Sequence, residues 1–378
     1  MDLGSHSIKM LQMKRVGSIV RVFASGRWRY PQQVRDDPTQ RREGAVAAVR
    51  QMLRSGGFVG RGVVTALSCN DMVIKNMRLP SMPSDQMDHA IRWEAKDRFG
   101  FDVAPDQLNC LHAGQVRHGS ESREEVIMMA VPREVIDAHL AMLSEMGLTP
   151  EHIDAEPVAL FRTFERHLRR RSDEQSVSVI VDIGYASTRV IVARGRQIVF
   201  VKSIDVGGAK LNAAVSKQLG IPLQEAEELR MRVMGKTPAP TDEEAPSTDP
   251  QVRPQRDTVD WTLHDAVRAE IEMLGKEIAL CLRYCSVTFR GLRPDGITLT
   301  GGQAHDPAVV NLLSEHLNLP CRVGLPLKGI DLSSVDLGSD RRATLAEWAL
   351  CAGLAALNTD IPDVAHEDVD GHEDRLSA

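Results

Sequence analysis

The amino-acid sequence predicts an α/β protein with more than one globular unit. Segments with the period of amphipathic helices alternate with short apolar runs typical of strands. The chain has 378 residues, which is enough for two or three domains. A short motif at the start of the chain returns near its middle, followed both times by the same order of predicted strands. Together these observations favour a duplicated α/β architecture.

The composition excludes several classes of protein. Hydrophobic residues make up 42% of the chain, which is typical of folded domains and too high for a disordered chain. The formal net charge is -6 with basic and acidic residues interspersed, so no basic face is expected for a nucleic acid. The longest apolar stretches, such as residues 348–357, are too short to cross a bilayer, and no secretory signal opens the chain. Six scattered cysteines without disulfide or zinc spacing favour the reducing cytoplasm.

The first half of the chain contains three predicted strands and two predicted helices after the opening motif. The strands are at residues 63–67, 107–113 and 125–131, and the helices at 84–99 and 132–146. Ser84 is expected to cap the first helix, which places Met87 and Ile91 on one apolar face. The polar residues 114–125 predict a hairpin loop. Gly147 is expected to end the second helix.

The second half repeats the alternation of helices and strands and adds two polar segments. Strands are predicted at 177–182, 188–193, 198–204 and 296–300, and helices at 223–233, 262–289 and from about Pro307. Residues 235–257 contain five prolines among acidic and small residues, which predicts a flexible insertion between helices. Residues 359–378 carry many acidic residues and are expected to form a solvated tail.

Two stretches of eight residues carry the internal repeat. They are DLGSHSIK at positions 2–9 and DIGYASTR at positions 182–189. Each is followed by an apolar strand, a turn at Gly17 or Gly195, and a second strand. Glycine lets successive amides point into one concavity that suits an anion, and hydroxyl and basic side chains add donors. A strand-end aspartate can hold a hydrated Mg²⁺. Taken singly, each motif is also common in ordinary hairpin turns; as a facing pair, they predict a polyphosphate clamp.

A third glycine-rich element follows the two hairpins. Residues 296–304 predict a buried strand that ends in the pair Gly301 and Gly302. A glycine pair at this end of a strand lets a flat base lie against the backbone, at the edge where α/β sheets place ligands. Alone, the pair is compatible with a simple tight turn. Behind two phosphate hairpins it indicates an adenosine site.

The order of these elements resembles the actin, Hsp70 and sugar-kinase ATPase superfamily. The chain between them resembles the PilM family of type IV pilus assembly proteins, and the resemblance extends to about Leu357. The stretches that carry it are LP at 79–80, AIRWEA at 90–95, EMGLTP at 145–150, DAEPVAL at 154–160, DVGG at 205–208 and EAEEL at 225–229.

The resemblance implies two actin-like lobes with RNase H-like subdomains around a nucleotide cleft, and a small inserted subdomain like that of FtsA. The implied boundaries are 1–79 with 150–175 for the first lobe, 80–149 for the inserted α/β subdomain, 176–211 with 291–358 for the second lobe, 212–290 for a helical subdomain that holds the insertion, and 359–378 for a disordered acidic tail. In the family, several apolar residues of a central strand precede the first aspartate, so a start upstream of Met1 stays open.

The resemblance also implies a set of site residues for ATP and Mg²⁺. The phosphates would be contacted by Gly4, Ser5, Ser7 and Lys9 on one side and by Gly184, Ala186, Ser187 and Thr188 on the other. Mg²⁺ would be organised through water by Asp2 and Asp182. Ribose and adenine contacts would come from Glu227 and Arg230, and Gly301, Gly302 and Gln303 would support the base. Gly207 and Gly208 are the remaining expected cofactor-binding residues.

Glu156 matches the position of a water-polarising carboxylate and would be the catalytic residue if ATP is hydrolysed. A buried glutamate at the start of a helix is an equally supported alternative. His6 and Tyr185 are bulkier than the small residues usual at these turns, and Arg189 adds positive charge. At most, a weak ATPase is expected.

The implied function is a cytoplasmic ATP-binding scaffold of type IV pilus biogenesis, held at the inner membrane by a partner. The partner would be the N-terminal peptide of a PilN-like bitopic protein, in a groove walled by the helix at 84–99. Trp93 on this helix is expected in the subdomain core, with a partner contact as the alternative. The pilus motor ATPase and platform proteins are further candidate partners, and direct membrane insertion is not expected. The alternatives are a small-molecule kinase of the same superfamily and a nucleotide-free pseudo-ATPase scaffold.

Overall fold

The computed structural model describes residues 1–118, 121–168, 170–234, 256–289, 291–337, 344–357 and 359. Helices alternate with strands along all of these segments, which confirms the predicted α/β class. The predicted insertion lies outside the described residues except for positions 256 and 257, which open a helix. The predicted tail lies outside them except for Thr359.

The first sheet group consists of three antiparallel strands and a parallel pair. The antiparallel strands are β1 (Asp2–Leu3), β2 (Ser7–Val16) and β3 (Ile19–Arg29), and the parallel pair is β4 (Gly62–Leu67) with β8 (Thr149–Ala155). The α-ammonium group of Met1 donates to the carbonyl of Val64 at 2.7 Å. The start of the chain therefore lies beside β4.

The second sheet has five strands in the order β11-β10-β9-β12-β13. Their bounds are β9 (Val177–Ile183), β10 (Thr188–Arg194), β11 (Gln197–Ile204), β12 (Ile297–Thr300) and β13 (Cys321–Val323). The antiparallel strands β9, β10 and β11 correspond to β1, β2 and β3, and the parallel strands β12 and β13 correspond to β4 and β8. The sequence repeat is therefore also a repeat of strand order.

The inserted sheet is an antiparallel meander of order β5-β7-β6. Its strands are β5 (Val73–Pro80), β6 (Leu108–His118) and β7 (Glu121–Ala130), and it is covered by α3 (Ser84–Arg98). The predicted loop at 114–125 is wrong, because the two strands stay paired up to His118 and Glu121. Gly114 has a φ of 110° at an irregularity in the strand register, so it bends a strand instead of opening a loop. The polar composition of residues 114–125 therefore did not indicate a loop, because these residues belong largely to two paired strands.

Helix α3 differs from its prediction in two respects. Pro83 is the N-cap residue and Ser84 is the first helical residue, so the predicted cap is wrong by one position. The predicted face of Met87 and Ile91 is buried, as expected. Trp93 is 68% exposed, so its predicted core position is wrong. It lies on the helix face that points away from the inserted sheet.

Five helices pack around the first sheet group. They are α1 (Gln32–Arg35), α2 (Pro38–Ser55), α4 (Arg133–Met146), α5 (Glu156–Glu165) and α10 (Ala349–Leu357). Gly147 ends α4 with a φ of 76°, as predicted. The last helix, expected in the second lobe, packs on α5, where the Thr163 hydroxyl donates to the Ala349 carbonyl at 2.7 Å.

Four helices accompany the second sheet. They are α6 (Gly208–Leu219), α7 (Leu223–Met234), α8 (Arg256–Thr288) and α9 (Pro307–Leu317). The inserted sheet contacts this part through Glu125, which accepts hydrogen bonds from Tyr284 on α8 at 2.8 Å and from Arg78 at 2.7 Å. Within the described part of the chain, none of the helices has the length and apolar character that crossing a membrane requires.

Candidate functional site

The first repeated hairpin begins with a buried ion pair. Asp2 and Lys9 are partners in the β1–β2 register, and the Lys9 ammonium donates to Oδ2 of Asp2 at 2.8 Å. Both residues are buried, with exposures of 5% and 8%. A buried carboxylate is stable only when it is paired in this way. The charge of Lys9 is therefore paired with Asp2 of the same hairpin.

The second hairpin repeats this pair at the same place. Asp182 and Arg189 are partners in the β9–β10 register, and Nη1 of Arg189 donates to Oδ2 of Asp182 at 3.0 Å. The leading glycine is also required twice. A Cβ at Gly4 would lie 2.9 Å from the carbonyl oxygen of Ser7, and one at Gly184 would lie 3.0 Å from that of Ser187. Both turns are therefore too tight for a side chain at this position.

Arg189 also contacts Glu156, the predicted catalytic residue. Nη2 of Arg189 donates to Oε1 of Glu156, while Oε2 accepts from the amide of Cys69 at 2.8 Å and lies 3.4 Å from the Ser68 hydroxyl. Glu156 is the first residue of α5 and is 3% exposed. Both carboxylate oxygens are occupied, which matches the alternative of a buried glutamate at a helix start.

Burial controls the charges at this site. Loss of solvent raises the pKa of Asp182 to about 6, although the positive charge of Arg189 opposes the shift. Burial would lower the pKa of Arg189, but the charges of Glu156 and Asp182 outweigh burial and raise it, so the guanidinium stays charged. Burial and the Glu156 charge raise the pKa of the Cys69 thiol, which keeps it neutral. The permanently charged Arg189 thus pairs with two buried carboxyl groups, those of Asp182 and Glu156.

The tips of the two hairpins contact each other across the cleft. The ring of His6 stacks on that of Tyr185 with centroids 4.9 Å apart, and Arg35 lies over the same tyrosine at 5.0 Å. Glu227 on α7 accepts from Arg35 at 2.8 Å and pairs with Nε2 of His6 at 2.8 Å. We call His6, Arg35, Tyr185 and Glu227 the cleft latch.

The latch has a direct electrostatic consequence for Glu227. Burial alone would raise the pKa of Glu227, but hydrogen bonds from His6 and Arg35 and the charge of Arg35 lower it to about 2. An open cavity of about 270 Å³ adjoins the latch, and its lining includes Tyr30 and Met231. The predicted ribose contact thus lies at the mouth of a cleft, where it joins α7 to the first hairpin.

Arg230 occupies the far side of the same cleft. It is 2% exposed and donates to Asp306 at 2.7 Å, to Gln303 at 2.8 Å and to Asn212 at 2.6 Å. A Cβ at Gly301, whose φ is 87°, would lie 2.5 Å from the carbonyl oxygen of Ile183. The glycine turn therefore packs directly on the second hairpin.

The remaining predicted residues line the same region, but several of their polar groups are already paired. The Thr188 hydroxyl donates to the Val206 carbonyl at 2.6 Å, and the Ser187 hydroxyl accepts from the Asn70 amide at 3.1 Å. The amide of Gly208 donates to the Gly184 carbonyl at 3.0 Å. Of the other predicted residues, Ser5, Ala186, Gly207 and Gly302 lie in the turns or next to them, and Ser7 is buried at the start of β2.

Sequence reasoning missed three residues that hold the site together, which are Arg35, Cys69 and Asn70. It also missed that Arg189 bridges two carboxylates. One signal was present, since Arg189 stands at the repeat position of Lys9 and so had to face Asp182. The other three lie outside the repeated motifs. Only the folded chain brings them to the cleft.

A second cavity, of about 200 Å³, lies where the first sheet group meets the inserted sheet. Its lining includes Met72, Asn109, Met129, Ile136 and Ile153. Among the described residues, α3 contributes nothing to this lining, although the sequence predicted that helix as the wall of a partner groove. Strands β6 and β7 line the cavity from the inserted sheet, and helix α4 lines it from the first sheet group.

A family model for the type IV pilus assembly protein PilM matches residues 1–244, which is more than half of the chain. The chain belongs to the PilM family. A model for the cell division protein FtsA matches residues 179–342. FtsA of Pseudomonas aeruginosa is 28% identical over 165 residues, which are 42% of this chain and 39% of FtsA. The chain thus covers well under two thirds of the length of that relative.

Solved structures agree with the PilM assignment at the level of fold. A PilM-PilN type IV pilus biogenesis complex matches with a TM-score of 0.72 and 21% identity, over 94% of this chain and 96% of that chain. The ethanolamine utilization protein EutJ of Carboxydothermus hydrogenoformans matches with a TM-score of 0.50 and 14% identity, over 94% and 87%. The predicted two-lobed actin-like fold with an inserted small subdomain is confirmed.

The PilM resemblance implied Mg²⁺ organised through water by Asp2 and Asp182. A hydrated Mg²⁺ needs carboxylate oxygens that are free to accept from its waters. Here Lys9 takes Oδ2 of Asp2, Arg189 takes Oδ2 of Asp182, and the same guanidinium spans the gap to Glu156. The described residues contain no cluster of three or more His, Cys, Asp and Glu that could hold a metal ion. The remaining oxygen, Oδ1 of Asp2 and of Asp182, could accept from the waters of a hydrated Mg²⁺, and these two carboxylates would hold the ion where it binds.

Proposed function

We propose that this PilM-family chain is a nucleotide-binding scaffold of type IV pilus assembly. It binds the N-terminal peptide of a PilN-like bitopic membrane protein and is thereby held at the cytoplasmic face of the inner membrane. The observation that carries the proposal is the family match together with a fold like that of PilM in a complex with PilN. The pilus motor ATPase and the platform proteins are further partners of such a scaffold.

The second cavity provides the groove for the peptide. Its lining is mixed, with apolar side chains such as Met72, Ile136 and Ile153 beside the polar Gln107 and Asp154. A cavity of about 200 Å³ between two elements suits one or two apolar side chains of an inserted segment. Asn109 in the lining adds a polar side chain that can orient the peptide backbone, whereas Asp106 is paired with Arg133.

The cleft and the groove share a short segment of chain, residues 68–72. Cys69 donates its amide to Glu156 at 2.8 Å, and Asn70 bonds Ser187 of the second hairpin at 3.1 Å. Met72, two residues further on, lines the groove. A nucleotide that moves the second hairpin therefore acts on one groove wall directly, which is the two-state element that a regulated scaffold needs.

The nucleotide we propose is ATP, bound between the hairpins and the Gly301–Gln303 turn. Turnover is at most weak, because both oxygens of Glu156 are engaged and neither is free to polarise a water. A scaffold does not need hydrolysis, provided that the partner binds the two states of the cleft with different affinity.

The experiment measures binding of a labelled N-terminal peptide of the co-encoded bitopic membrane protein to the purified chain. We expect Ile136→Asp to weaken binding about tenfold or more, because it replaces an apolar side chain of the groove with a charge. Ala138→Asp, on the exposed face of the same helix, serves as the control and should leave the Kd unchanged. A parent chain that binds no peptide, with or without ATP, would contradict the scaffold role.

A further inference from the structure

We propose that the cleft latch is a gate for the nucleotide. The latch is shut in the structure, and a nucleotide enters or leaves the cleft only when Arg35 releases Glu227 and the rings of His6 and Tyr185 separate. The inference rests on the nucleotide binding proposed above and assigns the step that controls exchange of the ligand. The gate needs no hydrolysis, so it suits a scaffold with little ATPase activity.

The latch joins the two lobes at the mouth of the cleft. His6 precedes β2 and Arg35 is the last residue of α1, whereas Tyr185 lies between β9 and β10 and Glu227 lies on α7. Every contact of the latch therefore connects the first half of the chain with the second. The mouth cannot widen while the ion pair between Arg35 and Glu227 and the ring stack are both in place.

Contacts at the floor of the cleft hold the lobes together independently of the latch. Arg189 of the second hairpin pairs with Glu156 of α5, and the Asn70 amide donates to the Ser187 hydroxyl at 3.1 Å. Lobes that stay joined at the floor part at the mouth, as in hinge motion around a ligand. The latch is therefore the set of contacts that such a movement has to break.

The closed mouth is too narrow for a nucleotide. The rings of His6 and Tyr185 are stacked with centroids 4.9 Å apart, a separation at which two rings are in contact. The open cavity beside the latch has a volume of about 270 Å³. Pockets that enclose a drug-sized ligand measure about 300–1,000 Å³. The rings therefore have to part before a polyphosphate can move between the hairpin tips.

The ion pair of the latch is shielded from water, yet it belongs to a movable element. The side chains of Arg35 and Glu227 are 9% and 10% exposed, so little water reaches either charge while the two are paired. Parting such charges costs more than parting an exposed pair. Arg35 belongs to a helix of four residues, none of which is buried. Because segments with few buried contacts open at low free energy, α1 can shift while the lobes stay folded.

Stopped-flow mixing of the full chain with a fluorescent ATP analogue in saturating Mg²⁺ tests the inference. We expect Arg35→Gln to raise both the association and the dissociation rate constants by about fivefold or more, because entry and exit both require the latch to open. The Kd, which is the ratio of the two constants, should stay within about threefold of the parent. Arg42→Gln removes an arginine from the exposed ion pair with Glu145 on α4, away from the latch, and should leave both rate constants unchanged.

The outcomes separate the gate from nucleotide binding itself. Parental rate constants in Arg35→Gln, or a weaker Kd caused by slower association, would overturn the gate and leave the proposed nucleotide binding standing. A parent chain that does not bind the analogue would overturn nucleotide binding, and the gate with it.

A second pair of variants, on the other lobe, keeps the test decisive if Arg35→Gln does not fold. Tyr185→Ala removes the ring on which His6 stacks and should raise both rate constants by about fivefold or more. Tyr185→Phe keeps that ring and should stay within about twofold of the parent. If Tyr185→Ala exchanges the analogue as slowly as the parent, the ring stack does not close the mouth and the inference is wrong.

Discussion

Lys9 and Arg189 occupy equivalent positions in the two repeated hairpins, yet they pair with different numbers of carboxylates. The ammonium of Lys9 is a point charge and pairs with one carboxylate, Asp2. The guanidinium of Arg189 is a planar fork and pairs with two, Asp182 and Glu156. The charge and the spacing were visible in the sequence. The second partner was not, because Glu156 belongs to another element and meets Arg189 only through the fold.

Glu227 makes the stability of the chain depend on pH in a defined window. Its pKa is about 2 in the folded chain against a usual value of 4.5. The unfolded chain therefore takes up this proton first as the pH falls, so the stabilisation is complete above pH 4.5 and is lost towards pH 2. The latch lies at the cleft mouth, where solvent screening limits the contribution to about 1–2 kcal/mol.

The variant Glu227→Gln should remove this contribution. We expect the free energy of unfolding, measured with urea, to fall by about 1–2 kcal/mol near neutral pH, and the gap to the parent to shrink below pH 4.5 and to close towards pH 2. Glu228→Gln changes the neighbouring, more exposed carboxylate, whose nearest basic partner is 3.9 Å away, and should follow the parent at every pH. An equal gap at all pH values would show that the latch does not hold Glu227 ionised.

At the scale of elements, the turn between β12 and the following 3-10 turn depends on one of its two glycines. Gly301 has a φ of 87°, and a Cβ there would meet the Ile183 carbonyl oxygen at 2.5 Å. At Gly302 a Cβ would have no other atom within 4 Å, and the residue needs no unusual φ. From the sequence the two glycines are equivalent. In the structure only Gly301 packs against the backbone of the second hairpin, so only Gly301 has no room for a side chain.

This difference gives a matched pair of variants. Gly301→Ala should lower the free energy of unfolding by about 2 kcal/mol or more, since it combines backbone strain with a contact that the sheet cannot relieve. Gly302→Ala should change it by less than about 1 kcal/mol. Thermal and urea unfolding of both variants would measure the effect. Similar losses from the two substitutions would mean that the turn is not held against β9 in this way.

The strands and helices predicted from periodicity were mostly found, because hydrophobic periodicity fixes an element's type more firmly than its ends, but α2 and β5 were not predicted. The predicted strand at 198–204 and the predicted helix at 223–233 differ from β11 and α7 by one residue. The loop predicted at 114–125 was not found, since paired hairpin strands can be as polar as a loop and Gly114 lies at a bulge. A cap predicted from residue type alone shifted from Ser84 to Pro83.

At the scale of the whole molecule, the repeat was visible in sequence but the contacts between its halves were not. The inserted sheet interrupts the first sheet group in sequence, yet Ile127 and Met129 join the same buried core as the strands of the second sheet. The last helix returns from the second sheet to α5. Such contacts join residues far apart in the chain, and no local pattern encodes them. They nevertheless place the cleft and the groove on one connected body.

Asn70 is the residue through which we expect the cleft and the groove to communicate. Its amide nitrogen donates to the Ser187 hydroxyl at 3.1 Å, and its oxygen accepts from the Ser203 hydroxyl at 3.1 Å, so it ties the 68–72 segment to the second sheet. It lies two residues from groove residue Met72. An effector can change a partner's affinity only through contacts that differ between two states, and we expect the Asn70 contacts to differ in this way.

The prediction compares peptide affinity with and without ATP in the parent and in two variants. In Asn70→Ala the ratio of the two Kd values should fall to within about twofold of one, while the Kd for ATP changes by less than about threefold. Asn109→Ala, in the groove wall, should weaken the peptide equally in both conditions and leave the ratio intact, because it touches the peptide and not the cleft. Should Asn70→Ala retain the parent's ratio, the 68–72 segment does not carry the coupling, and the contact of Tyr284 on α8 with Glu125 on the inserted sheet becomes the route to test.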